Sequence, residues 1–153
     1  FEHQEGIGFR VQEGPFRLEP GEFAAEFIET DTERRVWWVG NHFRAADRVK
    51  RQNDPAGPCR SRWGYEVCEV TENMKKFVKK EADAVGLDFG AADILWDPAK
   101  GNYVMLELNS APALDTPQLL EFFKAHIEEM LVERFPDVVN FVERRNGRDR
   151  RQA

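Results

Sequence analysis

Two apolar runs set around one turn-rich stretch constrain this chain more than any other feature. Leu87 to Trp96 and Tyr103 to Asn109 are dominated by aliphatic and aromatic residues, and Asp97-Pro98-Ala99-Lys100-Gly101-Asn102 lies between them. A connection so short and so rich in turn residues predicts a β-hairpin. If the hairpin turns about Lys100, Asp93 sits opposite Glu107, and the two-residue strand period places Asn109 on the face of Glu107. Three oxygen donors then converge. Opposed carboxylates repel unless a cation lies between them. Magnesium suits such a set, because it takes one or two protein carboxylates and fills its remaining positions with water and phosphate oxygens. The same spacing also fits two carboxylates that face solvent on an open sheet face.

The flanking sequence supplies the rest of an α+β fold, a mostly antiparallel sheet with covering helices. Arg34 to Val39 is β-branched and aromatic, Gly40-Asn41 follows, and His42 to Val49 completes a second hairpin pattern. Lys50 to Arg62 mixes Asn53, Asp54, Pro55, Gly57 and Pro58 with Lys50, Arg51, Arg60 and Arg62, which predicts a mobile basic loop. Trp63 to Val70 reads as a strand. Thr71 is placed to N-cap a helix running to about Val85 and stopped by Gly86, with Phe77, Val78, Ala82 and Val85 as its buried stripe. After Pro117 the spacing of Leu119, Leu120, Phe123, Ile127, Met130 and Leu131 predicts a helix through about Phe135 that covers the sheet. Phe9 to Ile28, with turn residues Gly14, Pro15, Pro20 and Gly21, reads as short strands joined by tight turns and contains no long helix. The arginine-rich stretch from Arg144 to Arg151 has no apolar residue and reads as a solvated end.

Composition bounds the function classes. The 153 residues fit one domain, and 41% hydrophobic with 12% aromatic content is enough for a packed core. A formal charge of -6 leaves no global positive field for nucleic acid or an anionic membrane. With only Cys59 and Cys68, no signal peptide and no apolar run of bilayer length, a reduced, cytoplasmic protein is expected, its thiols inert. The chain opens on Phe1 without an initiator Met, as a fragment of a longer protein would. His3, His42 and His126 lie far apart without metal-ligand spacing, and no serine sits in a nucleophile elbow, so neither a zinc site nor a catalytic triad is expected. Trp37, Trp38 and Phe43 beside the basic loop form the ingredients of a single-strand nucleic-acid surface. Strand alternation puts the two tryptophans on opposite faces, so one belongs to the core, and no nucleic-acid partner is expected.

The segments Ala84 to Leu95 and Val104 to Pro112 together resemble the closing motif of the ATP-grasp superfamily. The branch they look most like comprises the glutamate and amino-acid ligases that modify ribosomal proteins and small peptides, in which a Gly-x-Asp strand pairs with a Glu-x-Asn-x-x-Pro strand. The resemblance covers about residues 1 to 135. It implies that Asp93, Glu107 and Asn109 ligate magnesium or manganese. Glu26-Phe27-Ile28-Glu29 resembles the hinge whose backbone reads adenine, and Glu33 matches the acid that takes the ribose hydroxyls. Charge-assisted acceptance from two hydroxyls would give orientation as well as affinity. Arg35 stands where the family keeps an arginine near the transferred phosphate, Lys50-Arg51 and Arg60-Ser61 resemble its paired cations, and Glu2 to Gly8 resembles the end of its glycine-rich loop. Arg35, Lys50 and Arg60 would then neutralise charge on the migrating phosphoryl group.

The division implied is a remnant of the small subdomain and hinge over residues 1–28, the ATP-grasp C-terminal nucleotide and magnesium subdomain over 29–135, and a basic tail over 136–153. The implied activity is that of an ATP-dependent carboxylate–amine ligase acting through an acyl-phosphate; the alternative is a non-catalytic nucleotide-binding or regulatory remnant. The implied partners are ATP and an amino-acid or peptide substrate, with no membrane, and with either a second copy of the chain or an absent N-terminal domain completing the enzyme.

Overall fold

The computed structural model describes residues 14, 15, 17–21, 24–28, 30, 32–49 and 64–136. The expectations for Lys50, Arg60 and the loop between them, for the glycine-rich segment 2–8 and for the tail from 137 onward lie outside these residues. Strands β1 (Thr32–Val39) and β2 (His42–Val49) form the first hairpin, in register from Val39 opposite His42 to Thr32 opposite Val49. The turn needs positive φ, which Gly40 supplies at 56°, and the Gly40 N–H donates to the carbonyl of Asp88 at 2.9 Å. Strand β3 (Gly64–Cys68) pairs with β2; β4 (Phe89–Asp97) pairs with β1; β5 (Asn102–Asn109) pairs with β4. The result is a five-stranded antiparallel sheet in the order β3-β2-β1-β4-β5.

Each face of the sheet carries one helix. Helix α1 (Glu72–Ala84) lays Met74, Val78 and Ala82 on Val36, Trp38, Ala45, Ala92 and Ile94. Its start is fixed by Thr71, whose side chain accepts from the Met74 N–H at 3.3 Å. Its end is fixed by a Schellman pair in which the N–H groups of Leu87 and Gly86 return to the carbonyls of Ala82 and Asp83, with Gly86 at φ 72°. That termination corrects the expected stripe: Val85 falls beyond the last helical turn and is 61% exposed, while Met74 takes a core position.

Helix α2 (Pro117–Arg134) is capped by Thr116, which accepts from the Leu119 N–H at 3.3 Å. It covers the other face with Leu119, Phe123 and Met130 against Trp37, Val39, Ala46 and Ala91. Leu120 and Leu131 are exposed, against expectation, because the helix touches the sheet along one narrow line that runs through Leu119, Phe123, Ile127 and Met130.

Three further expectations change. The described residues between 14 and 28 contain no strand, only a bend at Gly14 and a turn at Pro20–Gly21. Strand β4 starts at Phe89 and not at Leu87, since Leu87 closes the helix cap. Both tryptophans are buried, Trp38 under α1 and Trp37 under α2, which removes the stacking platform that a single-strand nucleic-acid surface would need. No described helix is long and apolar enough to cross a membrane.

Candidate metal and nucleotide face

Helix α2 covers only one end of its sheet face, and a charged cluster occupies the other end. Strand alternation on β1 directs Glu33 and Arg35 to the same side as Trp37 and Val39, and antiparallel pairing brings Arg48, Asp93, Glu107 and Asn109 to that side. Asp93 is directly opposite Glu107, and Ala91 opposite Asn109. The turn, however, centres between Ala99 and Lys100, because Asp97 pairs with Asn102. A regular ladder from that turn would have set Leu106 opposite Asp93. A β-bulge corrects the register: Ile94 pairs with Met105 while its neighbour Asp93 pairs with Glu107, leaving Leu106 without a partner and exposed.

Asp93 is buried, and the Arg35 guanidinium holds it bidentately, Nε to Oδ1 at 2.7 Å and Nη2 to Oδ2 at 2.9 Å. Burial works against the charged guanidinium, yet its attraction to Asp93, the hydrogen bonds to it and the nearby Glu107 carboxylate outweigh that cost, so Arg35 holds its proton more tightly than a free arginine. Glu107 is exposed. Asn109 uses its side-chain oxygen to accept from the Ala111 N–H at 3.0 Å, which fixes the amide over the sheet edge and leaves that oxygen a second lone pair.

The site thus contains an oxygen-donor set of two carboxylates and an amide, and one cation already sits against it. A hard divalent ion fits that chemistry, since the face draws positive charge and its donors are all oxygen.

On the β2 side of the same face Glu33 is buried and accepts a charge-assisted bond from Arg48, which the hairpin register places directly opposite. Arg48 was not singled out from the sequence, although counting outward from the Gly40-Asn41 turn would have found it. Behind the site Asp97 is buried and accepts from the N–H groups of Ala99 (2.9 Å) and Lys100 (3.2 Å), so it shapes the turn. Lys100 in turn pairs with Glu26, while Phe27 is exposed and Ile28 half-buried. Ala24 to Ile28 belongs to no strand.

Other features lie elsewhere. An open groove of about 440 Å³ between Arg44, Pro117, Gln118, Glu121 and Phe122 flanks the first turns of α2 and includes none of the carboxylate-face residues. On the α1 side, Arg34 makes a bidentate pair with Asp47 and reaches the Tyr103 hydroxyl at 3.5 Å. Cys68 lies in the same region, its thiol pushed up to about 11 by burial and then by the Asp47 charge.

The fold has counterparts among solved structures. The macrocyclase MdnC of Microcystis aeruginosa MRC, bound with the precursor peptide MdnA, matches with a TM-score of 0.50 at 21% identity, over 68% of this chain and 34% of that one. A Chryseobacterium gregarium RiPP-associated ATP-grasp ligase, in complex with ADP and a leader and core peptide, matches with a TM-score of 0.52 at 20% identity, over 70% of this chain and 34% of that one. The ATP-grasp ligase PsnB, complexed with a phosphomimetic variant of a minimal precursor, Mg and ADP, matches with a TM-score of 0.52 at 23% identity, over 69% and 35%. The chain therefore spans about a third of the length of the structures it matches, and at these identities the likeness establishes the fold. No family model matches the chain, and no curated protein matches it.

Proposed function

Given the ATP-grasp fold, we propose that this chain carries the magnesium–ATP site of an ATP-dependent carboxylate–amine ligase that works through an acyl-phosphate. The observation that carries the proposal is the cross-strand pair Asp93–Glu107, set beside Arg35 on the face that also presents Glu33. In the proposed division, residues 1–28 are a remnant of the small subdomain and hinge, 29–135 the nucleotide and magnesium subdomain, and 136–153 a tail.

Asp93, Glu107 and Asn109 would hold magnesium or manganese, which would supply positive charge to offset that of the transferring phosphoryl group. Glu33, held by Arg48, would supply the carboxylate for the ribose hydroxyls, and the backbone of Glu26 to Ile28 would supply donors and acceptors for adenine. Arg35 is anchored by Asp93 and so contributes fixed positive charge where the γ-phosphoryl group migrates. Lys50 and Arg60, carried over from the resemblance, would meet the same phosphates.

In the proposed reaction a substrate carboxylate oxygen attacks the γ-phosphorus, the bond to the β–γ bridging oxygen breaks and ADP leaves. The amine nitrogen then attacks the acyl carbon, phosphate departs with the bonding pair, and the nitrogen loses its proton to solvent. Because the matched proteins are described in complex with precursor peptides, a peptide is the proposed substrate class.

One observation favours a second proposal, a non-catalytic nucleotide-binding remnant: Arg35 already occupies both oxygens of Asp93, as a cation substitute would. Calorimetric titration of ATP with magnesium, beside Glu107→Ala, tests the site. Magnesium-dependent binding lost in the variant supports it, and binding unchanged in the variant overturns it. ADP release that requires both a carboxylate and an amine then separates ligase from remnant.

A further inference from the structure

The three histidines are far apart in sequence, yet the fold brings two of them together with a carboxylate at the end of the α2 sheet face remote from Asp93. His42 opens β2 directly after the Gly40-Asn41 turn and shares the face of Val39, its ladder partner. His126 and Glu129 are three apart on α2, which stacks them one turn from each other on one side of the helix. Met130 packs against the turn, its Cγ 3.7 Å from where a Cβ on Gly40 would lie, so the helix is held where these side chains meet.

The meeting is close. His42 Nε2 lies 3.1 Å and His126 Nδ1 3.4 Å from Glu129 Oε2, and the imidazole rings stack with centroids 3.7 Å apart and planes inclined by 8°. All three donor atoms fall within 4.8 Å of one another. With zinc–nitrogen and zinc–oxygen bonds of about 2.1 Å, the edge of a coordination tetrahedron is about 3.4 Å, so two of the three donor separations already have the required length.

We propose that His42, His126 and Glu129 form a transition-metal site, of which zinc is the best-suited ion, that fastens α2 to the β1–β2 turn. Two imidazoles and one carboxylate suit zinc and its borderline neighbours better than magnesium, and three protein ligands leave a fourth position for water. A metal must lie near the plane of each donor ring, and parallel stacked rings share no such plane. Binding therefore turns one imidazole out of the stack about its Cβ–Cγ bond. The exposures of 40% for His42 and 26% for His126 leave room for that turn. The site stands independently of the magnesium–ATP proposal: Val39, beside His42, is four residues along β1 from Arg35, about 13 Å.

The test is zinc titration of the full chain by calorimetry, with amide hydrogen exchange of α2 as a second readout. One zinc ion is expected to bind, with affinity lowered about 10- to 100-fold in His42→Ala, His126→Ala and Glu129→Gln and retained in Glu107→Gln. Zinc is also expected to slow exchange across the middle of α2 in the unaltered chain and in Glu107→Gln, and not in the three site variants. Glu129 is exposed on the helix surface, so Glu129→Gln serves where a histidine variant fails to fold. Equal zinc affinity in that variant and the unaltered chain, affinity lost in Glu107→Gln instead, or no binding to the unaltered chain would each overturn the assignment.

Discussion

Asp93 stands opposite Glu107 because Leu106 is left out of the ladder between β4 and β5. The bulge offsets the half-residue by which the turn falls short of Lys100, and so keeps Glu107 on the face of Arg35 instead of turning it beneath α1. Deleting Leu106 regularises the strand yet leaves the same two carboxylates opposed. Magnesium-dependent ATP affinity within about tenfold of the unaltered chain is expected by calorimetry. A loss as complete as that of Glu107→Ala would mean that the twist of the bulge, and not the register, positions the carboxylates.

The two carboxylates of the pair are predicted to differ in their effect on stability. Asp93→Asn strips the largely buried Arg35 guanidinium of its ionic partner, and a cost of about 1–3 kcal/mol is expected. Glu107→Gln removes an exposed like charge and should leave stability within about 0.5 kcal/mol. Urea midpoints of the two variants check the contrast; equal destabilisation would refute it.

Gly90 offers a different probe of the site. A Cβ there would lie 2.6 Å from the carbonyl oxygen of Asn109 and 2.8 Å from the ring of Trp38, which is fully buried. Neither a backbone carbonyl nor a packed indole can yield cheaply, so Gly90→Ala is predicted to cost about 1–3 kcal/mol and to displace the Asn109 amide. Thermal unfolding together with the Asn109 side-chain amide signals would report both effects. Unchanged stability would show that β5 is free to move off β4.

For Cys68, burial first and the Asp47 carboxylate second raise the thiol to about 11, with Arg34 offsetting only part. The neutral thiol is therefore the form that the folded chain favours. In a Cys59→Ser background, alkylation should be slow at pH 8 and accelerate toward pH 11. The sign for stability follows from linkage: between 9 and 11 the unfolded chain binds fewer protons at this thiol, so its contribution is intact below pH 9 and declines as pH rises through that window. Rapid alkylation at pH 8 in the folded state would contradict the assignment.

Much of the fold is legible in local pattern. Gly40-Asn41 after the β-branched and aromatic run that ends at Val39, Thr71 and Gly86 around an amphipathic stretch, and Pro117 at the start of the second helix each prescribe their element through backbone preferences that need no distant partner. The carboxylate face was legible only in part: strand alternation puts Glu33 and Arg35 on one side, but Glu107 reaches that side through the bulge at Leu106, which no local pattern marks.

Contacts between elements were not legible, because they depend on where a helix lands. Arg35 on Asp93 requires β1 beside β4, a neighbour relation across the chain that no local period encodes. His42 with His126 and Glu129 requires α2 to cross the first hairpin, and the exposure of Leu120 and Leu131 reflects how little of that helix meets the sheet. The sequence by itself determined the two hairpins, the helix caps and the sidedness of Glu33 and Arg35, through φ/ψ preference and periodicity. Only the tertiary structure decided which charges became partners, because pairing energy acts over a few ångströms and those distances are set by packing.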